Sequence, residues 1–271
     1  MKKRIKGVLR KLAGKEVHVV REPVSVGDEL EQRHALVVGG TGGIGRAISK
    51  ALHERGAKVL VTGSTQSSVD AALDSLPGGT QGAVLDVCSV GSFGPFLEAA
   101  ASRLGGLDVI VYCAGVHGSD DFGSVSEETW DKVMSVNLKG AYFMCQVAGN
   151  LMVRENVRGH ILIVGSASAL KPGWTPYEIS KRGIQSLVQG AADRLAPYGV
   201  TVNCIAPGPV ATQMLGCEGV DDLGWSANPY GRLARPEEIA SLAAYMVSDL
   251  GSLIVGDSFY ITGGSGTVSN G

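Results

Sequence analysis

The chain is short of charge. Asp, Glu, Lys and Arg make up 18% of its 271 residues, against about 25% in an ordinary soluble domain. Disordered and coiled-coil chains therefore lose their compositional support. No uninterrupted apolar run approaches the roughly 18 residues of a membrane span, and no apolar core of a secretory signal follows the first residues. The five cysteines, Cys88, Cys113, Cys145, Cys204 and Cys217, make no C-x-x-C pair and no cluster with histidine. Neither a disulfide framework nor a metal site is expected, and reduced thiols point to a cytoplasmic protein. Basic excess is missing too, since the formal net charge is −2. Seven of the 24 Lys and Arg fall in residues 1–15, which hold no acid, so the rest of the chain carries 17 bases against 26 acids. A body of that sign offers nucleic-acid phosphates little to bind.

What the chain does have is glycine, 39 of 271 residues, about twice the usual level of about 7%. It also has a basic leader. Ile5, Val8, Leu9 and Leu12 recur there at helical spacing, giving an apolar and a basic face suited to an anionic membrane or partner. The plainer and preferred reading is a solvated arm, or a helix docked on the protein's own body or on a sister subunit. Residues 1–33 are read as this extension and its connection, and 34–271 as a single domain.

From residue 34 short β-rich apolar runs alternate with helical stretches. The runs are 34–38, 57–62, 83–86, 107–112, 160–164, 200–204 and 258–261, and Ile184, Leu187, Val188, Ala191 and Leu195 form a stripe at helical period. Such alternation predicts an α/β, Rossmann-type doubly wound fold, a mostly seven-stranded parallel sheet with helices on both faces.

The first run ends in Val38-Gly39-Gly40-Thr41-Gly42-Gly43-Ile44-Gly45, followed by a helix predicted over 46–55. Glycines there permit a tight strand-to-helix turn and clear the way for a pyrophosphate to reach the helix N-terminus. Gly39, Gly43, Gly45, Gly63 and Gly208 all fall where a dinucleotide would need close backbone approach. The second strand ends Val61-Thr62-Gly63-Ser64-Thr65, without the acid that favours NAD by binding the ribose hydroxyls. Ser64 and Thr65 are suited to donate to a phosphate, with Arg46 adding charge, so NADP(H) is expected over NAD(H). Tyr177 and Lys181 are four residues apart, on one face of a helix. A neighbouring ammonium favours phenolate over phenol, which suits a tyrosine to general acid/base work.

These residues together resemble the short-chain dehydrogenase/reductase family, and within it the 3-oxoacyl-carrier-protein reductases, over about 34–264. The resemblance rests on ordered motifs: the glycine turn Gly39 to Gly45; Leu85-Asp86-Val87; Val136-Asn137-Leu138; Gly165-Ser166; Tyr177 with Lys181; Ala206-Pro207-Gly208-Pro209-Val210-Ala211-Thr212; and Gly231-Arg232-Leu233 with the segment 235–240, then Gly263-Gly264. It implies Asn137, Ser166, Tyr177 and Lys181 as the catalytic set. It implies cofactor contacts from Gly39, Thr41, Gly42, Gly43, Ile44, Gly45, Ser64, Thr65, Asp86, Val87, Cys113, Ala114, Gly115, Tyr177, Lys181, Pro207, Gly208, Val210 and Thr212, of which Pro207 to Thr212 belong to the loop expected after the sixth strand. In the implied reaction Tyr177 protonates a developing alkoxide, Ser166 hydrogen-bonds the same oxygen, Lys181 holds the nicotinamide ribose and Asn137 positions a water. A homotetramer built on the helices of Asn137 and Tyr177 is implied as well.

Three departures stand out. Val38 replaces a threonine that often precedes the first glycine. Tyr112-Cys113 replaces the usual Asn-Asn and removes amides that brace the fourth strand. Ser166 precedes Tyr177 by a shorter interval than usual, which makes Ser168 the alternative donor. A substrate lid is expected over 213–230, apolar through Met214, Leu215, Leu223 and Trp225, with Asp221 and Asp222 as exceptions. Such a lid admits an acyl chain, carrier-bound or free, a steroid or a ring ketone, so a dehydrogenase or reductase of another alcohol, such as a steroid, sugar or ring ketone, is the alternative to a 3-oxoacyl reductase. A nucleotide-binding scaffold without turnover is the alternative of another class.

Overall fold

In the computed structural model residues 29–118, 121–219 and 222–268 are described. The basic leader, with its expected amphipathic helix, and Asp221 lie outside them. Seven strands, β1 (His34–Val38), β2 (Lys58–Gly63), β3 (Gln81–Val84), β4 (Val109–Tyr112), β5 (His160–Val164), β6 (Thr201–Pro207) and β7 (Ser258–Ile261), form one sheet. Its order is β3-β2-β1-β4-β5-β6-β7 and every neighbouring pair is parallel. The connections carry α1 (Gly43–Glu54), α2 (Gln66–Leu73), α3 (Phe93–Leu104), α4 (Glu127–Met134), α5 (Gly140–Arg154), α6 (Pro176–Leu195) and α7 (Pro236–Met246).

Successive side chains of a strand point to opposite faces, and here both faces are covered. Leu36 and Val38 of β1 pack with Phe93 and Leu97 of α3, Met144 of α5 and Ile184 of α6. Ala35 and Val37 pack instead with Ile48 and Leu52 of α1 and Ile239 and Ala243 of α7. Strands buried on both sides read as continuous apolar runs. β1 and β5 therefore coincide with the predicted runs, and β7, a partly exposed edge strand, does so as well.

Several boundaries differ from the sequence reading, β2 and β4 starting at Lys58 and Val109 rather than at 57 and 107. The first helix starts at Gly43 rather than residue 46, because glycine hides a helix start from propensity even where tertiary packing imposes it. β3 spans Gln81–Val84 rather than 83–86; it is a half-buried edge strand and its apolar signal is weak. β6 continues through Pro207, which pairs with Ile261 of β7, so Pro207 belongs to the strand and not to the loop after it. Among the described residues no helix is long and apolar enough to cross a membrane.

His160 sits on β5, buried, with Nδ1 2.9 Å from Oγ1 of Thr201. Burial, aided by the Arg33 guanidinium, pushes its pKa from 6.5 down to about 4. Between those values the unfolded chain binds the proton and the fold does not, so this residue's contribution to stability is lost as pH falls from 6.5 towards 4. His160→Gln is expected to flatten the dependence of the urea midpoint on pH in that window. At roughly 1.4 kcal/mol per pKa unit, the difference reaches at most about 3 kcal/mol at the acid end. Parallel profiles for the two proteins would contradict it.

Candidate active site

The strand order reverses between β1 and β4, and a crevice opens beyond their carboxyl ends. Gly39 leaves β1 at φ +76°, and a Cβ there would lie 2.6 Å from the Ala114 nitrogen beyond β4. Only glycine admits both that conformation and that approach. One step on, a Cβ at Gly45 would lie 2.3 Å from the Gly39 carbonyl oxygen, so the first turn of α1 is pressed onto the loop it leaves. No side chain caps α1. Its leading amides and the positive end of its dipole are left for an anion.

The crevice is a cleft of about 700 Å³. Its walls include Gly39, Thr41 to Gly45, Ser64, Asp86, Val87, Cys113 to Gly115, Tyr177, Lys181 and Thr212, so most of the expected cofactor contacts come together. Others do not reach it. Thr65 caps α2, accepting from the Ser68 amide at 3.2 Å, and Arg46 pairs with Glu218 at 2.5 Å. Val210 bridges to Ala234, and Gly208 lies against the Thr262 backbone, 2.8 Å from where its Cβ would be. A Cβ at Gly63 would meet Ser68 Oγ at 2.5 Å. The bareness of Gly208, read as room for a nucleotide, is thus required by the chain's own packing, whereas Gly63 lines the cleft as well as lying against Ser68 and Thr41.

Tyr177 and Lys181 project from the first turns of α6. Thr175 and Glu178 form a reciprocal capping box and Pro176 occupies the first helical position, which fixes where the helix begins. Lys181 Nζ lies 5.6 Å from the Tyr177 ring centroid and donates to the Val164 carbonyl at 3.0 Å. Burial pushes the Cys113 thiol up to about 12 against the pull of the Lys181 charge, so this cysteine is a neutral wall. The Asp86 carboxyl is held below its ordinary range by the Cys88 amide and the Ser89 hydroxyl.

Ser166 follows Gly165, a cleft residue, and opens the short turn Ala167–Leu170. Its Oγ accepts from the Ser168 amide at 3.1 Å, leaving its own proton free to donate. Asn137 is buried. Its Oδ1 accepts from the Val116 amide at 2.8 Å, and its Nδ2 donates to the Val116 carbonyl at 2.9 Å and to Ser180 Oγ at 3.2 Å. Both amide protons are committed to protein, and one Oδ1 lone pair remains for a water.

Two features escaped the sequence. Tyr112, read as a loss of bracing, supplies bracing of its own: the hydroxyl donates to the Val136 carbonyl at 2.6 Å. Val136 lies in a π turn, Ser135–Lys139, that joins α4 to α5 and carries Asn137. Burial raises the Tyr112 pKa well above the usual phenol value, so the hydroxyl stays a donor. The second feature is His117, in the cleft beside Tyr177. Neither carries a local signal, because both depend on contacts across the sheet ends. Of the expected lid, Gln213 and Met214 line the cleft, while Trp225, at 37% exposure, faces partly outwards. Among the described residues no group of three or more His, Cys, Asp or Glu could hold a metal ion.

Comparison with known proteins matches residues 39–266 to a family described as enoyl-(acyl carrier protein) reductase. The chain is 33% identical to the 3-oxoacyl-[acyl-carrier-protein] reductase FabG of Vibrio cholerae, over 87% of this chain and 98% of that one. It is also 33% identical to the L-rhamnose 1-dehydrogenase (NAD(P)(+)) of Azotobacter vinelandii, over 87% and 97% respectively. A solved short-chain dehydrogenase/reductase of Serratia marcescens superposes with a TM-score of 0.79 at 30% identity, covering 88% of this chain and all of that one.

The Tyr112 bond leads to a stability prediction. Tyr112→Phe removes the hydroxyl's bond to the half-buried Val136 carbonyl and is expected to cost about 0.5–1.5 kcal/mol in urea unfolding. A Cβ at Gly140 would lie 2.3 Å from the Tyr112 hydroxyl, so Gly140→Ala should cost less in the Tyr112→Phe background than in the wild type. Strictly additive costs would show that the two positions do not share that space.

Proposed function

Because the chain belongs to the short-chain dehydrogenase/reductase family, we propose that it is an NADP(H)-dependent ketoreductase that reduces a 3-oxoacyl-like ketone to a secondary alcohol. The observation that carries this reading is Tyr177 with Lys181, both facing a cleft whose glycine walls suit a dinucleotide. When bound, the nicotinamide exchanges hydride with the carbonyl carbon. Tyr177 donates a proton to the oxygen that becomes negative, and Ser166 gives the same oxygen a second hydrogen bond. Lys181 sets a positive charge beside the Tyr177 ring, where it stabilises the charge left after proton transfer, and it would hold the nicotinamide ribose. Asn137 fastens the turn at Val116 that closes the cleft on this side, and its remaining lone pair suits a water on the way to Lys181.

The cofactor would lie along Gly39 to Gly45, with its pyrophosphate at the uncapped start of α1, its adenine near Asp86 and Val87, and its nicotinamide near Thr212. The preference for NADP(H) is supported by the cleft wall at the end of β2, formed by Thr62, Gly63 and Ser64 without a carboxylate. Thr65 and Arg46 support it less, since each is engaged within the chain. A 3-oxoacyl substrate fits the name carried by the Vibrio cholerae relative. The assembly we propose is a homotetramer in the cytoplasm, supported by an apolar groove of about 890 Å³ on α4, α5 and α6, with Leu138, Phe143 and Leu187 in its walls.

Two measurements test the reading. Tyr177→Phe is expected to lower ketone-dependent NADPH oxidation by a factor of about 100 or more, the range of general acid catalysis, while leaving NADPH binding in place. Equal, low rates in mutant and wild type would leave the nucleotide-binding scaffold as the better description. NADPH should also bind more tightly than NADH in fluorescence titration, and the reverse order would overturn the cofactor preference.

A further inference from the structure

His117 lines the same cleft as Tyr177, and the two rings stand 4.6 Å apart, tilted by 47°. The histidine is exposed, so no core packing holds it there. Its backbone does. On one side both polar groups of Val116 are bonded to the Asn137 side chain. On the other, a Cβ at Gly118 would lie 2.7 Å from Thr129 Cγ2, which presses the chain onto α4. The segment thus presents an imidazole from a clamped backbone, directly beside the group that protonates the substrate.

Lys181 Nζ stands 5.6 Å from the Tyr177 ring centroid on the side of α6, and it is already bonded to the Val164 carbonyl. His117 keeps a ring N–H for something else. A hydrogen bond spans about 3 Å. Two rings this close therefore reach oxygens only a few bonds apart on one molecule.

We infer that His117 is a specificity residue: its imidazole donates a hydrogen bond to a second carbonyl of the substrate, two carbons from the one that Tyr177 protonates. The site thereby selects 1,3-dicarbonyl compounds, 3-oxo esters and thioesters, over plain ketones. The inference rests on the carbonyl-reducing reading of Tyr177 and adds the feature by which that site recognises its substrate. A ring serving only as packing against Tyr177 would be replaced equally well by phenyl, and that difference is what the experiment reads.

Wild type, His117→Phe and His117→Gln are assayed by NADPH oxidation on ethyl acetoacetate and on 2-heptanone, which has the same chain length without the second carbonyl. The wild type should prefer ethyl acetoacetate. His117→Phe should lower the ratio of the two kcat/KM values about fivefold or more, chiefly through KM for ethyl acetoacetate, and His117→Gln should restore part of it. An unchanged ratio in His117→Phe overturns the inference, as does a wild type that takes both ketones equally or reduces neither. Tyr177→Phe, run in parallel, keeps the two readings apart. Should it retain full activity, the role given to Tyr177 fails, whatever the ratio in the His117 variants.

Discussion

The whole upper end of the sheet depends on one close approach, that of the chain leaving β1 to the chain leaving β4. At Gly39 a single Cβ would overlap the Ala114 backbone. These are the two central strands, and their connections part in opposite directions. Bringing their exits together sets the floor of the cleft, and stacking the first turn of α1 on the Gly39 carbonyl sets one wall. The helix dipole is aimed by the same contact. Anion binding at such a site is therefore a property of backbone placement, and side-chain charge enters only at the margins.

The opposite wall has a different kind of support. Asn137 holds Val116, Tyr112 holds Val136, and the π turn between α4 and α5 carries both of those attachments. A side-chain amide commonly bonds to loop backbone, but here the loop leads directly to His117 and the Tyr177 ring. Asn137 and Tyr112 thus fix, through backbone, where the chain leading to His117 stands. The Tyr112 hydroxyl replaces, from within the fourth strand, bracing that the family usually draws from a pair of asparagines.

The sequence was readable wherever the determining contacts are local or repeated. Strands β1 and β5 stand out because they are apolar on both faces. Tyr177 and Lys181 stand out because helical geometry alone puts residues four apart on one side. The cofactor turn was visible as glycine, but its purpose was only partly so: at Gly208 the missing side chain makes room for the chain itself. Thr65 and Arg46 looked available as phosphate donors, because neither the helix cap nor the Glu218 partner can be read from their neighbours in sequence. Tyr112 and His117 were missed or misjudged for the same reason. Each acts through a partner more than 20 residues away.

The π turn also works as a phase change. An α-helix advances about 100° per residue, and one extra residue within a turn rotates everything beyond it by about that amount relative to everything before. α4 and α5 thus continue as one rod through a widened turn, and the turn sets the phase of one helix against the other. Val136, within the turn, lines the nucleotide cleft, while Met134 before it and Phe143 past it both line the apolar groove, so the two helices share that outer face. Deleting one residue at Ser135–Lys139 would leave both helices intact as helices. It would nevertheless turn Phe143 and its neighbours by about 100°, away from the groove face that α4 and α5 share.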